Sequence, residues 1–111
     1  MNGVRLVAHA AAMPSMKEIQ SFAREVRAEL PSGVIALGLE ADEPQLFVTV
    51  SDDLVERGVS AADLVTAAAR HIDGRGGGRP QMAQARGTRA AGLAEALESV
   101  AESLAAAAQT G

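Results

Sequence analysis

The segment VIALGLEADEPQLFVTV, Val34 to Val50, decides the fold of this chain. It contains two apolar runs, Val34–Leu39 and Leu46–Val50, separated by the turn-forming residues Glu40–Pro44. Short apolar runs rich in branched residues are typical of strands that are buried on both faces. Because the connection is too short for a crossover, the two strands are predicted to be antiparallel neighbours at the centre of a sheet.

The residues before this hairpin predict one strand and one helix. Val4–Ala8 alternates loosely and predicts a short first strand. Ser15 and Glu18 match a capping box, which predicts a helix start, and Pro31-Ser32-Gly33 predicts its end. The helix carries an apolar stripe at spacings of three and four: Met16, Ile19, Phe22, Val26 and Leu30. A helical link between the first two strands permits a right-handed parallel crossover.

The residues after the hairpin predict further helices. Asp52–Arg57 is predicted to form a short helical turn that closes at Gly58. Ser60 and Asp63 repeat the capping-box pattern, so a second main helix is predicted over Ala61–Ile72. In these positions the serines are interpreted as helix caps and not as nucleophiles.

The last third of the chain predicts a loop, a strand and a helix. Gly74–Pro80 contains five glycines or prolines in seven positions, which predicts a loop with unusual backbone angles. Gln81–Ala85 is predicted to be a short strand. A last helix carries the narrow apolar seam Leu93, Leu97, Val100 and Leu104, which suits the core or a contact between two chains; we prefer the core. Ala105–Gly111 is predicted to be a loose end.

These elements predict an α/β (α+β) fold, in which helices pack on a small mixed β-sheet. The expected order is β-α-β-β-α-(Gly loop)-β-α, in one domain over residues 1–111. The chain has no cysteine, no secretion signal and no apolar run long enough to cross a membrane, so a reducing compartment is the expected location.

Charge is distributed unevenly along the chain. The formal net charge is -4, yet residues 70–89 carry about +4 and hold half of all lysines and arginines. The arginines of this window are Arg70, Arg75, Arg79, Arg86 and Arg89, against one acid, Asp73. An acidic chain with one basic window is unsuited to general polyanion binding but suited to a local anion contact.

The basic window contains the glycine-rich string Arg75-Gly76-Gly77-Gly78-Arg79. Glycine backbone N–H groups can approach an anion closely, and arginines donate charge-assisted hydrogen bonds to phosphate oxygens. The string matches neither a Walker loop nor G-x-G-x-x-G after a strand, which disfavours a mononucleotide pocket. The alternative is a tight reversal whose arginines are merely solvated.

Polar residues follow this string at once. Gln81 is predicted to share a strand face with Ala83 and Ala85, and Met82 is predicted to share the other face with Gln84. Taken singly, Met82 has a structural interpretation as core filling, and Gln84 has one as an amide that is exposed at the surface or bonds a loop.

No catalytic constellation is visible in the sequence. His9 and His71 have no partner at metal-ligand spacing, so no catalytic residue, metal site or cofactor is expected. His71 is interpreted as the end of a helix, and Asp52 and Asp53 as helix N-terminal acids, where the helix dipole favours their charges.

The string GRGGGRPQMAQARG, Gly74 to Gly87, resembles the glycine-rich signature of the DHH-associated domain at the C-terminus of alanyl-tRNA synthetases. The likeness extends over about residues 3–108 and is most specific at Gly76–Gln84. In related phosphoesterases a histidine commonly follows the glycines, whereas Arg79-Pro80 stands there in this chain, which favours the synthetases. Arg86 departs from the synthetase pattern, where small residues such as glycine are more frequent.

The resemblance implies a piece of a longer alanine–tRNA ligase, cytoplasmic and without catalytic activity of its own. It implies contact with the outer corner of a tRNA, expected to be alanine tRNA, in support of aminoacylation and editing by the rest of the synthetase. We assign the contact to Arg75, Gly76, Gly77, Gly78, Arg79, Gln81, Gln84 and Arg86. Arginine, glutamine and glycine amides can address RNA without aromatic stacking.

Two alternatives remain open at this point. One is the substrate-binding domain of a DHH-family phosphoesterase, which would need an Asp-His-His metal motif that this sequence lacks. The other is an oligomerisation module, in which the seam from Leu93 to Leu104 pairs two copies as a homodimer.

Overall fold

A five-stranded sheet forms the centre of the computed structural model, which describes residues 6–11, 16–30 and 32–110. Its strands are β1 (Leu6–Ala11), β2 (Val34–Leu39), β3 (Gln45–Val50), β4 (Arg75–Gly78) and β5 (Met82–Arg86). Their order in the sheet is β1-β2-β3-β5-β4. β1 and β2 are parallel, and every other neighbouring pair is antiparallel. The mixed sheet, the parallel crossover and the central hairpin are therefore confirmed.

Four helices accompany the sheet in the described residues: α1 (Met16–Glu29), α2 (Asp52–Glu56), α3 (Ala61–Ala69) and α4 (Leu93–Thr110). A 3-10 turn, Arg70–Ile72, extends α3 to the predicted end of that helix. The predicted loose end was wrong, because α4 continues from Leu93 through Thr110. The first strand ends later than predicted, at Ala11. Val4 and Ser15, with its capping box, lie outside the described residues.

The hairpin of β2 and β3 is buried from two sides, as its apolar runs predict. All six residues of β2 are buried. Val34 and Ala36 pack in the cluster that α3 and α4 form on one face of the sheet, and Ile35 and Leu37 pack in a second cluster with α1 on the other face. Alternation along one strand thus supplies two cores.

The apolar seam of α4 belongs to the core. Its residues are all buried in the cluster shared with α3 and the sheet: Leu93, Leu97, Val100 and Leu104. The core interpretation is confirmed. A seam that is already covered within one chain is unavailable for pairing two copies, so the interpretation of this seam as a coiled-coil contact is wrong.

The start of α3 follows the predicted capping chemistry. The Ser60 hydroxyl accepts a hydrogen bond from the Asp63 backbone N–H at 3.4 Å. Gly58 ends the preceding α2 segment with a φ of 95°, a value that favours glycine. Val59 precedes the cap and Leu64 follows it, and both pack in the core cluster, which is the arrangement of a hydrophobic staple.

The predicted loop Gly74–Pro80 is wrong over Arg75–Gly78, which forms the edge strand β4. The glycines disfavour a strand by local propensity, but β5 supplies a pairing partner from Arg75 opposite Arg86 to Gly78 opposite Ala83. α3 packs closely against this strand. A Cβ at Gly76 would contact the Ala85 Cβ and lie 2.6 Å from Val65 Cγ1. Tertiary contacts therefore override the local preference.

We expect Gly76→Ala and Gly77→Ala to affect stability very differently. A Cβ at Gly77 would meet nothing within 4 Å, whereas one at Gly76 would overlap α3 and β5. Gly76→Ala should lower the free energy of unfolding by about 1–3 kcal/mol. Gly77→Ala should change it by less than about 1 kcal/mol. Urea denaturation measures both values. Equal midpoints for the two variants would contradict the close packing of β4 on α3.

Candidate nucleic-acid interface

The strands β4 and β5 form a hairpin with the two-residue turn Pro80-Gln81. Arg79 N–H donates to the Met82 carbonyl at 2.8 Å, and Met82 N–H donates back to the Arg79 carbonyl at 3.3 Å. Proline is favoured at the first central position of such a turn because its φ is already set. The turn therefore places Arg79 at the tip of the hairpin, where it is exposed.

Two backbone hydrogen bonds fix this turn to the rest of the fold. Ala61 N–H donates to the Pro80 carbonyl at 2.8 Å, and Val50 N–H donates to the Gln81 carbonyl at 2.8 Å. The Ala61 N–H lies at the start of α3, where helix donors have no partner within the helix. The Pro80 carbonyl is the acceptor for this donor. Together the two hydrogen bonds fix the position of the turn relative to α3 and β3.

The two faces of the β4–β5 hairpin differ. Ala83 and Ala85 are buried and point towards α3. The opposite side, which we call the open face, bears alternate residues of both strands: Arg75, Gly77, Met82, Gln84 and Arg86. All five are exposed, and no described helix covers them.

Two sequence-based interpretations of these residues were wrong. Met82 is not core filling, because 44% of its surface is exposed on the open face. Gln81 does not share a face with Ala83 and Ala85, because it lies in the turn before β5 begins at Met82. Gln84 lies on the face predicted for it and is exposed, directly opposite Gly77.

The arginines of the basic window do not form a single patch. Arg86 is paired with Glu43 at 2.7 Å between Nη2 and Oε1. Arg89 donates to the His71 carbonyl at 3.1 Å, which holds the end of α3. Arg75 and Arg79 are exposed, and within the described part of the chain neither has a carboxylate within ion-pair distance. These two are therefore the cations of the hairpin that are free to meet an anion.

A depression beside the turn brings Arg79 near another arginine, Arg27 of α1. The Arg27 guanidinium donates to three backbone carbonyls: Leu30 at 3.1 Å, Gly33 at 3.0 Å and Thr49 at 3.2 Å. Burial lowers the pKa of Arg27 from its usual value, and the nearby carboxylates oppose this shift. Arg27 is thus a structural clamp that joins the end of α1 to β3. Sequence reasoning missed it.

The acidic pair at the start of α2 lies on the same depression. Asp52 and Asp53 occupy the first turn of α2, as predicted for helix N-terminal acids. The Ser32 hydroxyl donates to Asp53 Oδ2 at 2.6 Å, and hydrogen bonds from Ser32 and Ser51 hold the pKa of this carboxyl below its usual value. These hydrogen bonds favour the charged form of Asp53, and its carboxylate limits how far an anion can extend beyond Arg79.

Other chemistries find little support in the described residues. Within them, no three histidine, cysteine or carboxylate residues gather closely enough to hold a metal ion. His71 lies in the 3-10 turn at the end of α3, as predicted, with Nδ1 3.9 Å from Glu95 Oε2. None of the helices that the structure describes combines the length and the apolar character that a membrane span requires.

Comparisons with known proteins agree with the geometry of this fold. The DHHA1 domain family matches residues 3–106. Alanine–tRNA ligase of Anaeromyxobacter dehalogenans is 48% identical over 87 residues, which is 78% of this chain and 10% of that protein. The Bacillus subtilis enzyme is 40% identical over 101 residues, 90% of this chain and 12% of that protein. The chain thus spans about a tenth of the length of these relatives.

Two solved structures share the fold. The C-Ala domain of alanyl-tRNA synthetase from Aquifex aeolicus superposes with a TM-score of 0.77 at 20% identity, covering 87% of each chain. A DHH domain protein described as a member of a family of ribosomal proteins superposes with a TM-score of 0.62 at 17% identity, covering 93% of this chain and 26% of that one. At these identities the likeness concerns the fold alone.

We expect Arg27 to stabilise the fold through the hydrogen bonds that its guanidinium donates to three backbone carbonyls. Arg27→Ala should lower the free energy of unfolding by about 1.5–3 kcal/mol, and Arg27→Lys should restore only part of it, because one ammonium cannot reach all three carbonyls. Arg24→Ala is the matched control, because among the described residues the Arg24 side chain bonds just the Ser21 hydroxyl, at 3.3 Å. This substitution should cost less than about 0.5 kcal/mol. Thermal or urea unfolding measures these differences. Full recovery by lysine would contradict the clamp.

Proposed function

The chain belongs to the DHHA1 domain family, and from its similarity to alanine–tRNA ligases we propose that it is a tRNA-binding C-terminal domain of such an enzyme. The proposal is supported most directly by Arg75 and Arg79, which are exposed and unpaired among the described residues at the two ends of a glycine strand. Arginine donors beside backbone without side chains suit phosphate oxygens, which run along every RNA.

The proposed contact surface is the β4–β5 hairpin. Arg75 and Arg79 bind phosphates, and Gln84 offers an amide for a base edge or a 2′-hydroxyl. Gly76, Gly77, Gly78 and Gln81 belong to the same hairpin and contribute close backbone approach or a second amide. Arg86 contributes less, because it already shares its charge with Glu43.

The proposed partner is the outer corner of alanine tRNA, together with the rest of the synthetase. Much of the chain outside residues 70–89 is acidic, so electrostatic repulsion limits the orientations in which the domain can approach RNA. Such a domain holds one tRNA while the other parts of a cytoplasmic ligase aminoacylate and edit. In this proposal the domain itself performs no chemistry.

The phosphoesterase alternative has weaker support. The DHH domain protein shares the fold at 17% identity, which carries no statement about activity. The Arg79-Pro80 pair, in the position where a histidine follows the glycines of the phosphoesterases, favours the synthetase proposal.

We expect the chain to bind tRNA in a strongly salt-dependent manner. With about three phosphate contacts, the logarithm of the association constant should fall with the logarithm of salt concentration at a slope of about -2 to -3. Arg75→Ala and Arg79→Ala should each make this slope shallower by about 0.7–0.9. Fluorescence anisotropy of labelled tRNA at several salt concentrations measures both effects.

Arg57→Ala is the control for this experiment. It removes one exposed arginine at the end of α2, outside the hairpin, and should leave the slope unchanged. Absence of tRNA binding at low salt would refute the proposed function. Equal effects of Arg57→Ala and Arg79→Ala would show that only overall charge matters.

A further inference from the structure

Within the described residues, no packing contact explains why position 77 is a glycine. Gly77 lies in the middle of β4, where glycine weakens a strand, and a Cβ at this position would meet no described atom within 4 Å. By contrast, a Cβ at Gly76 would overlap α3 and β5. Glycine without a steric reason inside a strand often marks a place where a ligand approaches the backbone closely.

Met82 lies beside Gly77 on the open face. It is the large apolar side chain that the described residues leave most exposed, at 44%. Gly77, Met82 and Gln84 line one shallow depression of about 370 Å³. The depression therefore combines a flat floor without side chain, a polarisable thioether and an amide with both donors and acceptors.

A second depression continues from Met82 to α1. It has a volume of about 290 Å³, and Phe47 and Ala23 form its apolar floor. Gln20 and Arg24 stand on its far wall. The two depressions meet at Met82 and form a groove between α1 and the open face, which we call the α1 groove.

The charged side chains of α1 are separated by sign on the two edges of the helix. At 3.6 residues per turn, one edge of the helix carries its basic and amide side chains: Lys17, Gln20, Arg24 and Arg27. The other edge carries its carboxylates: Glu18, Glu25 and Glu29. The groove side of α1 is therefore positive although the whole chain has a net charge of -4.

We propose that the α1 groove receives an unpaired nucleotide of the bound RNA, a refinement that rests on the proposed function. The base lies flat over Gly77 and against the Met82 thioether. The Gln84 amide hydrogen-bonds its edge, and Arg24 and Lys17 bind the flanking phosphates from α1. The groove thus adds a second wall to the contact made by the hairpin.

The chemistry of the groove favours an unpaired nucleotide over a duplex. A duplex presents phosphates and sugars to a protein. The apolar floor of the groove, formed by Phe47, Ala23 and Met82, has no side-chain hydrogen-bond donors for these groups. An unstacked base instead exposes a π face, which an apolar or thioether surface covers well. Cations along one wall then neutralise the backbone on either side.

The test uses the 111-residue chain, labelled tRNA and three variants. Met82→Ala removes the thioether, and Gly77→Val adds a branched side chain to the open floor. The double variant Arg24→Glu with Glu25→Arg moves one cation from the groove edge of α1 to the far edge, while composition and net charge stay the same. Urea denaturation of each variant verifies that folding is intact, with Gly77→Ala as the mild counterpart of Gly77→Val.

Met82→Ala should weaken tRNA binding about 3- to 10-fold without changing the salt slope, because it removes no phosphate contact. Gly77→Val should weaken binding at least about 10-fold. The charge exchange should make the slope shallower by about 0.7. A single-stranded RNA of about eight nucleotides should compete with tRNA, and a blunt RNA duplex of similar length should compete less well.

The outcomes separate this inference from the proposed function. If wild-type chain fails to bind tRNA, the proposed function itself fails. If tRNA binds and depends on Arg75 and Arg79, but the three groove variants bind as wild type does, the groove inference is overturned and the proposed function stands. Equal competition by duplex and single strand would likewise overturn it. Should Gly77→Val fail to fold, Met82→Ala and the charge exchange still decide.

Discussion

Burial of β2 on both faces is the constraint on which the rest of this structure depends. Its six buried residues require helices on both sides of the sheet. Among the described helices, two pack on one face, α3 and α4, and α1 alone packs on the other. A helix is about 10 Å wide and strands lie about 4.8 Å apart, so one helix covers only part of a five-stranded sheet. α1 packs on β2 and β3 and reaches Val7 of β1. No described helix covers β5 and β4 on that side, and this uncovered area is the open face.

The glycine strand serves the two faces in different ways. Towards α3, Gly76 leaves the room that Val65 and Ala85 occupy. Towards the open face, Gly77 leaves space that no described residue fills. The turn at Pro80-Gln81 then ties the strand to the start of α3 through its carbonyls. One short hairpin is thus rigid on its inner side and accessible on its outer side, which is the combination a recognition surface needs.

Tertiary contacts also divide the arginines into those that are bonded within the fold and those that remain exposed and unpaired among the described residues. Arg27 and Arg89 bond backbone carbonyls, and Arg86 is paired with Glu43, so these three hold elements of the fold together or are partly neutralised. Arg75 and Arg79 remain exposed on the hairpin. Two unpaired cations on one short hairpin of an acidic chain create a local positive potential, which helps to direct a polyanion to the hairpin.

The sequence by itself determined much of the architecture. The apolar runs from Val34 to Val50 specified the central hairpin, and the seam of the last helix specified a core helix, because both signals come from local periodicity. The arginines and glycines of the candidate site could also be recognised from the sequence, because they form one string in a chain that is otherwise acidic.

Only the tertiary structure decided that Arg75–Gly78 is a strand, that Met82 is exposed and that Arg27 is a clamp. Local preference predicts a loop for glycines, and only pairing with β5 and contact with α3 reverse it. Alternation along β5 correctly separated Met82 and Gln84 from Ala83 and Ala85. It could not tell which side a helix would cover, because coverage depends on how many helices each face receives.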